Sequence, residues 1–474
     1  MSLRVIVIGA GIGGLGTALL LARGGHDVTV LERDDTPLPT DVEAAFAWSR
    51  RGAPQVRHSH AFVSRFRSVL RDHAPDVLSQ LLAAGVVEHE MGTMLAMLGL
   101  PDGFEADDFT ILASRRTTVE WVLRRAVLDE GIDLRSGVTV EGLVGETCDT
   151  VPLVTGVRLE DGSALAADLV VATTGRRGDV PRWLGELGVS VAESETETGT
   201  VYFSRFYRLA DGHEFPLPTA AIGRRAGLSF LGYEADNRTF SITLVAGSGD
   251  AEMRSHLLDD DRYDATCRLM PELTPLTAAG VAEAITPVHT MVGMVNRLRR
   301  FTDAAGDALV SGFHAVGDAH TATNPLYGRG STLALVQAAL LADAIAQHGP
   351  GTAASRAYEA ASRAEIEPWY HASIAADAAV LRAEALAPCA SHDSDDELGR
   401  LLRMDVWIDA VFHDMSLAPK VALLLNLLAP ATEILADPTV VAAFRAAADR
   451  RDRDIADRLT RPGRVSRTDV LAAA

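Results

Sequence analysis

The sequence predicts an α/β fold in three parts: a parallel sheet layered with helices, a layer of antiparallel sheet, and a helical C-terminal extension. Three observations predict it. An apolar segment at residues 3–8 runs into a glycine-rich turn and then a helical pattern, the order expected of a parallel strand buried on both faces and its crossover. Aromatic and β-branched residues crowd residues 201–245, as antiparallel strands require. Ala/Leu/Arg patterns of helical period fill much of the chain after residue 351.

The first unit reads strand, glycine turn, helix, strand, acid. Residues 3–8 lead into Gly9-Ala10-Gly11-Ile12-Gly13-Gly14. Residues 15–23 form a helix that Gly24-Gly25 can end, and residues 27–32 form a second strand closing on Glu32, with Arg33 beside it. Gly9 allows the tight turn, Gly11 the approach of a pyrophosphate, and Gly14 close packing of helix on strand. The helix N-terminus offers free N–H groups and a positive dipole to the phosphates, and Glu32 stands where a ribose hydroxyl would donate. Spacing, flanking elements and acid agree, so the unit is Rossmann-like and suits an ADP-containing dinucleotide, FAD and NAD alike.

Composition bounds the partners. Acidic residues outnumber basic ones 64 to 44, and the formal charge of −20 opposes nucleic acid or an anionic membrane as a partner. Lys420 is the only lysine, which nearly excludes lysine-dependent mechanisms. Cys148, Cys267 and Cys389 are odd in number and far apart, and read as reduced thiols. The first strand has no signal peptide ahead of it, and the apolar run at 421–429 is far short of the ~20 residues a membrane span needs. The expectation is a cytoplasmic protein with no integral membrane segment.

Along the chain, residues 51–61 crowd Arg57, His58 and His60 together, with the two imidazoles on one face if the segment is a strand. A loop whose polar groups pair with backbone is one reading; imidazole and guanidinium groups beside a cofactor is the other. A metal site would need further ligands nearby, which the sequence lacks. Residues 63–70, 74–84 and 117–129 read as helices, and 132–140, 154–159 and 164–172 as strands. The last strand passes into Thr174-Gly175-Arg176, a second junction of strand and glycine. From Val201 to about Ile285 the pattern is that of an antiparallel sheet, with strands at 201–208, 228–233 and 238–245, whose aromatics suit a pocket wall or a sheet core.

A third junction follows. A buried strand ends at Gly317-Asp318, a loop carries Pro325 and Gly328, and an apolar helix starts near Gly330. Asp318 can accept hydrogen bonds from a sugar alcohol, and this second helix N-terminus can stabilise negative charge on a reduced ring.

Together the three junctions resemble the flavoprotein monooxygenase superfamily of the para-hydroxybenzoate hydroxylase fold, over most of residues 1–350. The resemblance implies a discontinuous FAD-binding domain at residues 1–45, 101–185 and 286–350, a substrate domain with mixed β-sheet at 46–100 and 186–285, and a helical region at 351–474. It implies FAD, with Gly9, Gly11, Gly14, Glu32 and Arg33 at the AMP half, and Gly317 and Asp318 at the ribitol. Arg116 would bind the pyrophosphate, with Arg115 carrying the same charge beside it. Pro325, Gly328, Arg329 and Gly330 would approach the isoalloxazine. NAD(P)H or a separate flavin reductase would supply electrons. The middle motif departs from the Asp-Gly of aromatic hydroxylases. With residues 52–60 and 324–330, it is similar to the polyether-type alkene epoxidases; the middle motif alone is also similar to that of geranylgeranyl reductases.

The activity so implied is an FAD-dependent monooxygenase that uses O₂ to epoxidise an alkene of an apolar specialised metabolite through a flavin C4a-hydroperoxide. Arg57, His58 and His60 would hold the peroxide or its proton. The rivals are a flavin-dependent reductase of isoprenoid double bonds, an aromatic hydroxylase, a halogenase and a non-enzymatic flavin sensor. A halogenase of this fold would need a suitably placed lysine and a Trp-x-Trp segment, and the sequence has neither. Substrate identity and oligomeric state are not written in the sequence.

Overall fold

The computed structural model describes residues 2–146, 151–217, 220–385, 394–458 and 465–473. In chain order the elements that build the site are β1 (Arg4–Ile8), α1 (Ile12–Arg23), β2 (Asp27–Glu32), α2 (Ser64–His73), α3 (Arg116–Asp129), β3 (Asp133–Ser136) and β4 (Leu169–Ala172). Then come β5 (Thr200–Leu209), β6 (Ala220–Arg225), β7 (Leu228–Glu234), β8 (Thr239–Gly247), β9 (Ala282–Ala284), β10 (His289–Met291), β11 (Phe313–Ala315), α4 (Gly330–His348) and α5 (Glu367–Ala385).

The apolar run of β1 is buried at every residue but Arg4, because the strand lies in the middle of a five-stranded parallel sheet ordered β11-β4-β1-β2-β3. Register aligns the strand ends: Ile8 pairs with Ala172, and Ala172 with Ala315. The three glycine junctions, far apart in sequence, therefore leave the sheet along one edge, the C-terminal edge where open α/β sheets bind ligands. Glycine also lets α4 lie against α1. A Cβ on Gly13 would stand 3.2 Å from that of Ala334, and one on Gly16 would stand 2.7 Å from Leu335 Cδ1. Helix α4 is long and apolar enough to cross a membrane, yet most of it is buried inside the fold.

The second layer is an antiparallel sheet ordered β6-β7-β8-β5-β9, with β10 also pairing on β5. Strand alternation divides its side chains between two faces. Phe203, Phe230 and Phe240 enter a core with Tyr263 and Leu273, while Tyr202, Leu231 and Val245 face Leu326 on the other side. The clustered aromatics thus serve both as sheet core and as cavity wall.

The β7–β8 hairpin docks this layer on the first. Asn237 and Arg238 both have positive φ (54° and 58°), the twist of a tight hairpin turn. The turn projects Asp236, whose carboxylate accepts from Ser114 Oγ (3.1 Å), the Arg115 N–H (3.2 Å) and Arg115 Nε. The Arg115 guanidinium lies 4.8 Å from the centroid of the Phe46 ring.

Several expectations change. The stretch 132–140 is two strands, because Gly137 takes φ +71° after Ser136, and Val140–Glu146 joins Leu153–Leu159 and Ala164–Ala166 in a separate antiparallel sheet. The stretch 164–172 divides as well, where the Asp168 carboxylate turns to the Arg4 N–H at 2.9 Å. Strand β6 was not anticipated. Sheet was expected as far as residue 285, but helices Ala251–His256, Asp260–Leu269 and Thr274–Thr277 intervene, the first two capped by Asp250 and Asp259. Residues 51–61 are not a strand: Pro54–Arg57 forms a single 3₁₀ turn and His58 follows in extended conformation.

The C-terminal helices form their own apolar core around Trp407, Val440 and Phe444, to which α5 contributes Ala372 and Ala376. The run at 421–429 lies in this core, mostly in helix Ala418–Leu425. The core also supports α2, since Asn426 Oδ1 accepts from the Ser64 N–H (3.1 Å) and Oγ (2.9 Å). Of the polar stretch 391–397, residues 391–393 lie outside the described residues, and helix Ser394–Leu401 starts within the remainder. Cys148 and Cys389 lie outside the described residues too; Cys267 is a buried free thiol whose pKa burial pushes up.

Asp236→Ala leaves the Arg115 guanidinium, 1% exposed, with only the Glu43 carboxylate at 3.6 Å, and removes the three hydrogen bonds that Asp236 accepts. The expected cost is about 3–5 kcal/mol of stability, read from the midpoint of urea unfolding.

Candidate functional site

The glycine turn is held open by charge. Glu32, at the end of β2, accepts from the Ala10 N–H (2.8 Å) and the Asp34 N–H (3.0 Å), so most of its carboxylate is spent on backbone. Arg50 lies between Glu32 (3.2 Å), Asp34 (3.3 Å) and Glu120 of α3, and also donates to the Ala10 carbonyl at 3.2 Å. Burial works against its charge, but the carboxylates of Glu120, Glu32 and Asp34 prevail and its pKa is raised. Gly9 has φ +107°, and a Cβ on Gly14 would lie 1.9 Å from the Gly9 oxygen, so neither position admits a side chain. A Cβ on Gly11 would meet only Arg116 Nη2, at 3.9 Å. Arg33 packs at Gly52, where a Cβ would stand 3.2 Å from the arginine Nε.

Adjacent arginines part company. Arg115 is consumed by Asp236, while Arg116 faces Gly11, pairs with Glu120 (2.8 Å) and meets His60 Nε2 at 3.2 Å.

At the second helix N-terminus, Gly317 passes under α4 with φ +67°, and Asp318 Oδ1 lies 3.9 Å from where a Cβ of Gly330 would stand. Arg176, from the middle junction, donates to Asp318 Oδ2 (3.0 Å), the Val295 carbonyl (3.1 Å) and the Thr323 carbonyl (2.6 Å), stapling three segments together. The loop Pro325–Tyr327 is held from behind by α5. Asp377 accepts from Asn296 (2.7 Å), Asn324 (2.7 Å) and the Tyr327 hydroxyl (2.8 Å), and Asn324 Oδ1 in turn accepts from Tyr202. Burial pushes the Asp377 pKa up against the pull of these donors. Arg329 points away from Asp318: it donates to the Trp369 carbonyl (3.2 Å) and Ser373 Oγ (2.9 Å) beneath the rings of Tyr327 and Trp369. Gly328 adopts the left-handed conformation, and a Cβ there would be 2.8 Å from that of Ala61.

That contact brings residues 58–61 against the loop. A part-open cavity of about 30 Å³ lies between them and the antiparallel sheet, walled by Leu231, Met291, Pro325 and Leu326, with His58, Ser59, Tyr202 and Thr243 at its polar edge. An open cleft of about 230 Å³ lies on the other side of His58, lined by Arg51, Arg57 and His289. Arg57 belongs to this cleft and donates to the carbonyls of Phe46 (2.7 Å), Ala47 and Trp48. His58 Nδ1 lies 2.8 Å from Ser204 Oγ, and His60 Nδ1 lies 2.9 Å from the His58 carbonyl. Burial and then His289 lower the His58 pKa to about 4; burial and then the Arg116 charge lower that of His60 to about 3. Among the described residues no group of three or more His, Cys, Asp or Glu is arranged to hold a metal.

An FAD-dependent oxidoreductase family model matches residues 4–80, the segment that carries the glycine turn, Glu32 and residues 51–61. The chain is 29% identical over 242 residues to zeaxanthin epoxidase of Oryza sativa subsp. japonica, covering 46% of this chain and 33% of the epoxidase. It is 25% identical over 431 residues to kynurenine 3-monooxygenase of Salinispora tropica, covering 84% of this chain and 85% of that enzyme. The chain is an FAD-dependent oxidoreductase. A further relative of this oxidoreductase is protein Rv3254 of Mycobacterium tuberculosis, 28% identical over 72% of this chain and 73% of that one. In fold it superimposes on the flavin-dependent brominase Bmp2 with a TM-score of 0.61 at 16% identity, over 96% of this chain and all of the brominase.

The site fits FAD on its own geometry. Neither α1 nor α4 has a side-chain cap or an acid in its first turn, so both N-termini are free for negative charge. Gly11 keeps the approach to α1 clear, and buried hydroxyls of Thr174, Thr323 and Thr332, on the junction segments, lack protein partners. Arg50 and Asp377 escaped the sequence reading, and Arg176 was read only as part of the middle motif, without a role. The one signal for Asp377 was an acid alone in an alanine-rich helical face.

Acid should unfold this oxidoreductase through its histidines. An unfolded imidazole takes up its proton near pH 6.5, whereas His58, His60 and His314 stay neutral in the fold down to about pH 4, 3 and 4. Their stabilisation is complete above about pH 6.5 and is lost as pH falls through that window. Thermal unfolding across pH 7 to 4 should show Tm falling, and His60→Gln should flatten the slope.

Proposed function

We propose that the protein is a monooxygenase that adds one oxygen atom of O₂ across an alkene of an apolar specialised metabolite. The observation that carries this reading is the cavity's position, wedged between the Pro325–Gly328 loop and an antiparallel-sheet face lined by Leu231 and Met291. The similarity to zeaxanthin epoxidase supports it. Overall, alkene, O₂, two electrons and two protons give epoxide and water. When bound, reduced FAD supplies the electrophilic oxygen.

The chain's residues then bind, orient and exclude water. Gly9, Gly11, Gly14 and the α1 N-terminus would take the pyrophosphate with Arg116, and Glu32 and Arg33 would flank the AMP half. Gly317 and Asp318 would face the ribitol. Pro325, Gly328, Gly330 and the α4 N-terminus would lie along the ring, with Arg329 bracing the loop from below. His58, neutral at pH 7, would manage protons at the cavity edge, while His60, also neutral, would do so beside Arg116. Arg57 serves the outer cleft. The residue ranges given above for the FAD-binding, substrate and helical parts are the proposed division of the chain. NAD(P)H, directly or through a separate reductase, is the proposed electron source.

Aromatic hydroxylation is the second reading, favoured by the long match to kynurenine 3-monooxygenase. The likeness to a brominase is one of fold, and Lys420, the only lysine, pairs with Asp437.

The test supplies reduced nicotinamide, a flavin reductase and ¹⁸O₂ with panels of apolar alkenes and arenes. A single ¹⁸O in an epoxide supports the proposal, and a labelled phenol moves the reading to hydroxylation. A product gaining two hydrogens and no ¹⁸O identifies a reductase and sinks it. Arg116→Ala should weaken FAD binding about 10- to 100-fold in fluorescence titration, the loss expected of a charge-assisted hydrogen bond.

A further inference from the structure

We propose that Tyr233 donates a hydrogen bond to a neutral oxygen of the substrate, and so selects alkenes that carry an alcohol, ether or carbonyl group. The inference rests on the monooxygenase reading and narrows its substrate from apolar alkenes at large to one class of them. The cavity wall spends its other polar side chains on protein partners and leaves this phenol over.

Five polar side chains line the cavity: His58, Ser59, Tyr202, Tyr233 and Thr243. Four of them are committed. The His58 ring meets Ser204 Oγ through Nδ1 at 2.8 Å and also pairs with the Thr290 backbone. Ser59 Oγ donates to Ser241 Oγ (2.7 Å), and Thr243 Oγ1 lies 2.7 Å from Ser59 Oγ and 2.6 Å from Ser204 Oγ. The Tyr202 hydroxyl donates to Asn324 Oδ1 and accepts from the Leu326 N–H at 3.0 Å. The Tyr233 hydroxyl has no partner among the described residues. Burial of its ring, with no hydrogen bond to oppose it, raises the pKa to about 12, so at pH 7 the phenol keeps its proton and can donate.

The sheet sets this group where a ligand can reach it. Alternation along β7 puts Leu231 and Tyr233 on the cavity face while Phe230 enters the core. Tyr233 stands opposite Ser241 of β8 and Ala220 of β6. The first already accepts from Ser59 and the second carries only a methyl group, so neither strand supplies a partner for the phenol. On the sheet side of the cavity Leu231 and Thr243 are buried while Tyr233 and Met291 are partly exposed, which puts the phenol at the opening. In this pose the alkene lies inward, toward Pro325–Gly328, and the oxygen outward. Phenylalanine would give the same apolar contact, whereas a hydroxyl covered by a ligand that offers it no oxygen loses water and gains nothing. Among the described residues no arginine, lysine, aspartate or glutamate lines the cavity, and His58 is neutral at pH 7. A carboxylate or phosphate would therefore enter without a counter-ion, which favours a neutral substrate.

The experiment titrates flavin-loaded enzyme with four probes built on one isoprenoid skeleton: geraniol, its methyl ether, the carboxylate geranate and the parent hydrocarbon, each followed in the flavin spectrum. Tyr233→Phe, which keeps the ring, should weaken geraniol and the ether about 3- to 10-fold, the loss of one neutral hydrogen bond, and leave the hydrocarbon unchanged or tighter. Wild type should bind geranate more weakly than geraniol by about 10-fold or more, since its charge finds no partner. In turnover the loss should fall on KM with kcat nearly unchanged, as for an interaction made equally in the ground and transition states. A further readout needs no turnover. In protein labelled with ¹³C at tyrosine Cζ, geraniol should move the resonance that is missing from Tyr233→Phe, and move it further than the hydrocarbon does. The assignment is overturned if Tyr233→Phe changes geraniol and hydrocarbon by the same factor, if geranate binds as tightly as geraniol, or if none of the probes binds. A wild type that binds geraniol through Tyr233 yet yields no oxygenated product sinks the monooxygenase reading and leaves the role of Tyr233 standing.

Discussion

One guanidinium holds the first glycine turn of this protein in place. Arg50 reaches the carboxylates of Glu32, Asp34 and Glu120 and the carbonyl of Ala10, all from a position almost closed to solvent. Three buried carboxylates gathered around a glycine turn would repel one another and any approaching phosphate, and each would cost several kcal/mol to desolvate unpaired. With Arg116 and Arg124 nearby, three arginines face three acids, and the cluster becomes neutral. Glu32 can then fix the Ala10 N–H, α3 sits at a set distance from β1, and the chain leaving Arg50 is aimed toward His58.

From that anchor the two layers divide the work. The parallel sheet gathers three glycine junctions on one edge because Ile8, Ala172 and Ala315 end in register. The antiparallel sheet supplies a wall whose alternation sends phenylalanines one way and hydroxyls the other. The Asp236 hairpin and the Gly328–Ala61 contact fix the gap between the layers, and the cavity is what remains.

Much of this was readable from local pattern. A strand, a glycine turn and a helix N-terminus lie within a dozen residues, so each junction announces itself without knowledge of the rest. What failed depended on distance in the chain. The resemblance picked Arg116 without excluding Arg115, and the reason the two differ in surroundings, a turn more than a hundred residues away bearing Asp236, was out of reach of local pattern. Arg50 and Arg176 sit in loops with no period to read, and their partners come from separate segments, three for Arg50 and two for Arg176. The pairing of His58 and His60 on a strand face failed because Pro54 sets a 3₁₀ turn just before them. The helices after residue 250 escaped because aspartate caps, not apolar period, mark where they begin.

The Pro325–Tyr327 loop takes its shape from Asp377, 53 residues beyond Asn324, and α2 takes its N-terminal acceptor from Asn426, 362 residues beyond Ser64. A ribosome makes the parallel strands β1, β2, β3 and β4 long before either group exists. Residues 324–328 must therefore wait, without their acceptor, until α5 has cleared the exit tunnel. The proposed flavin site is among the last parts of the chain that translation allows to settle.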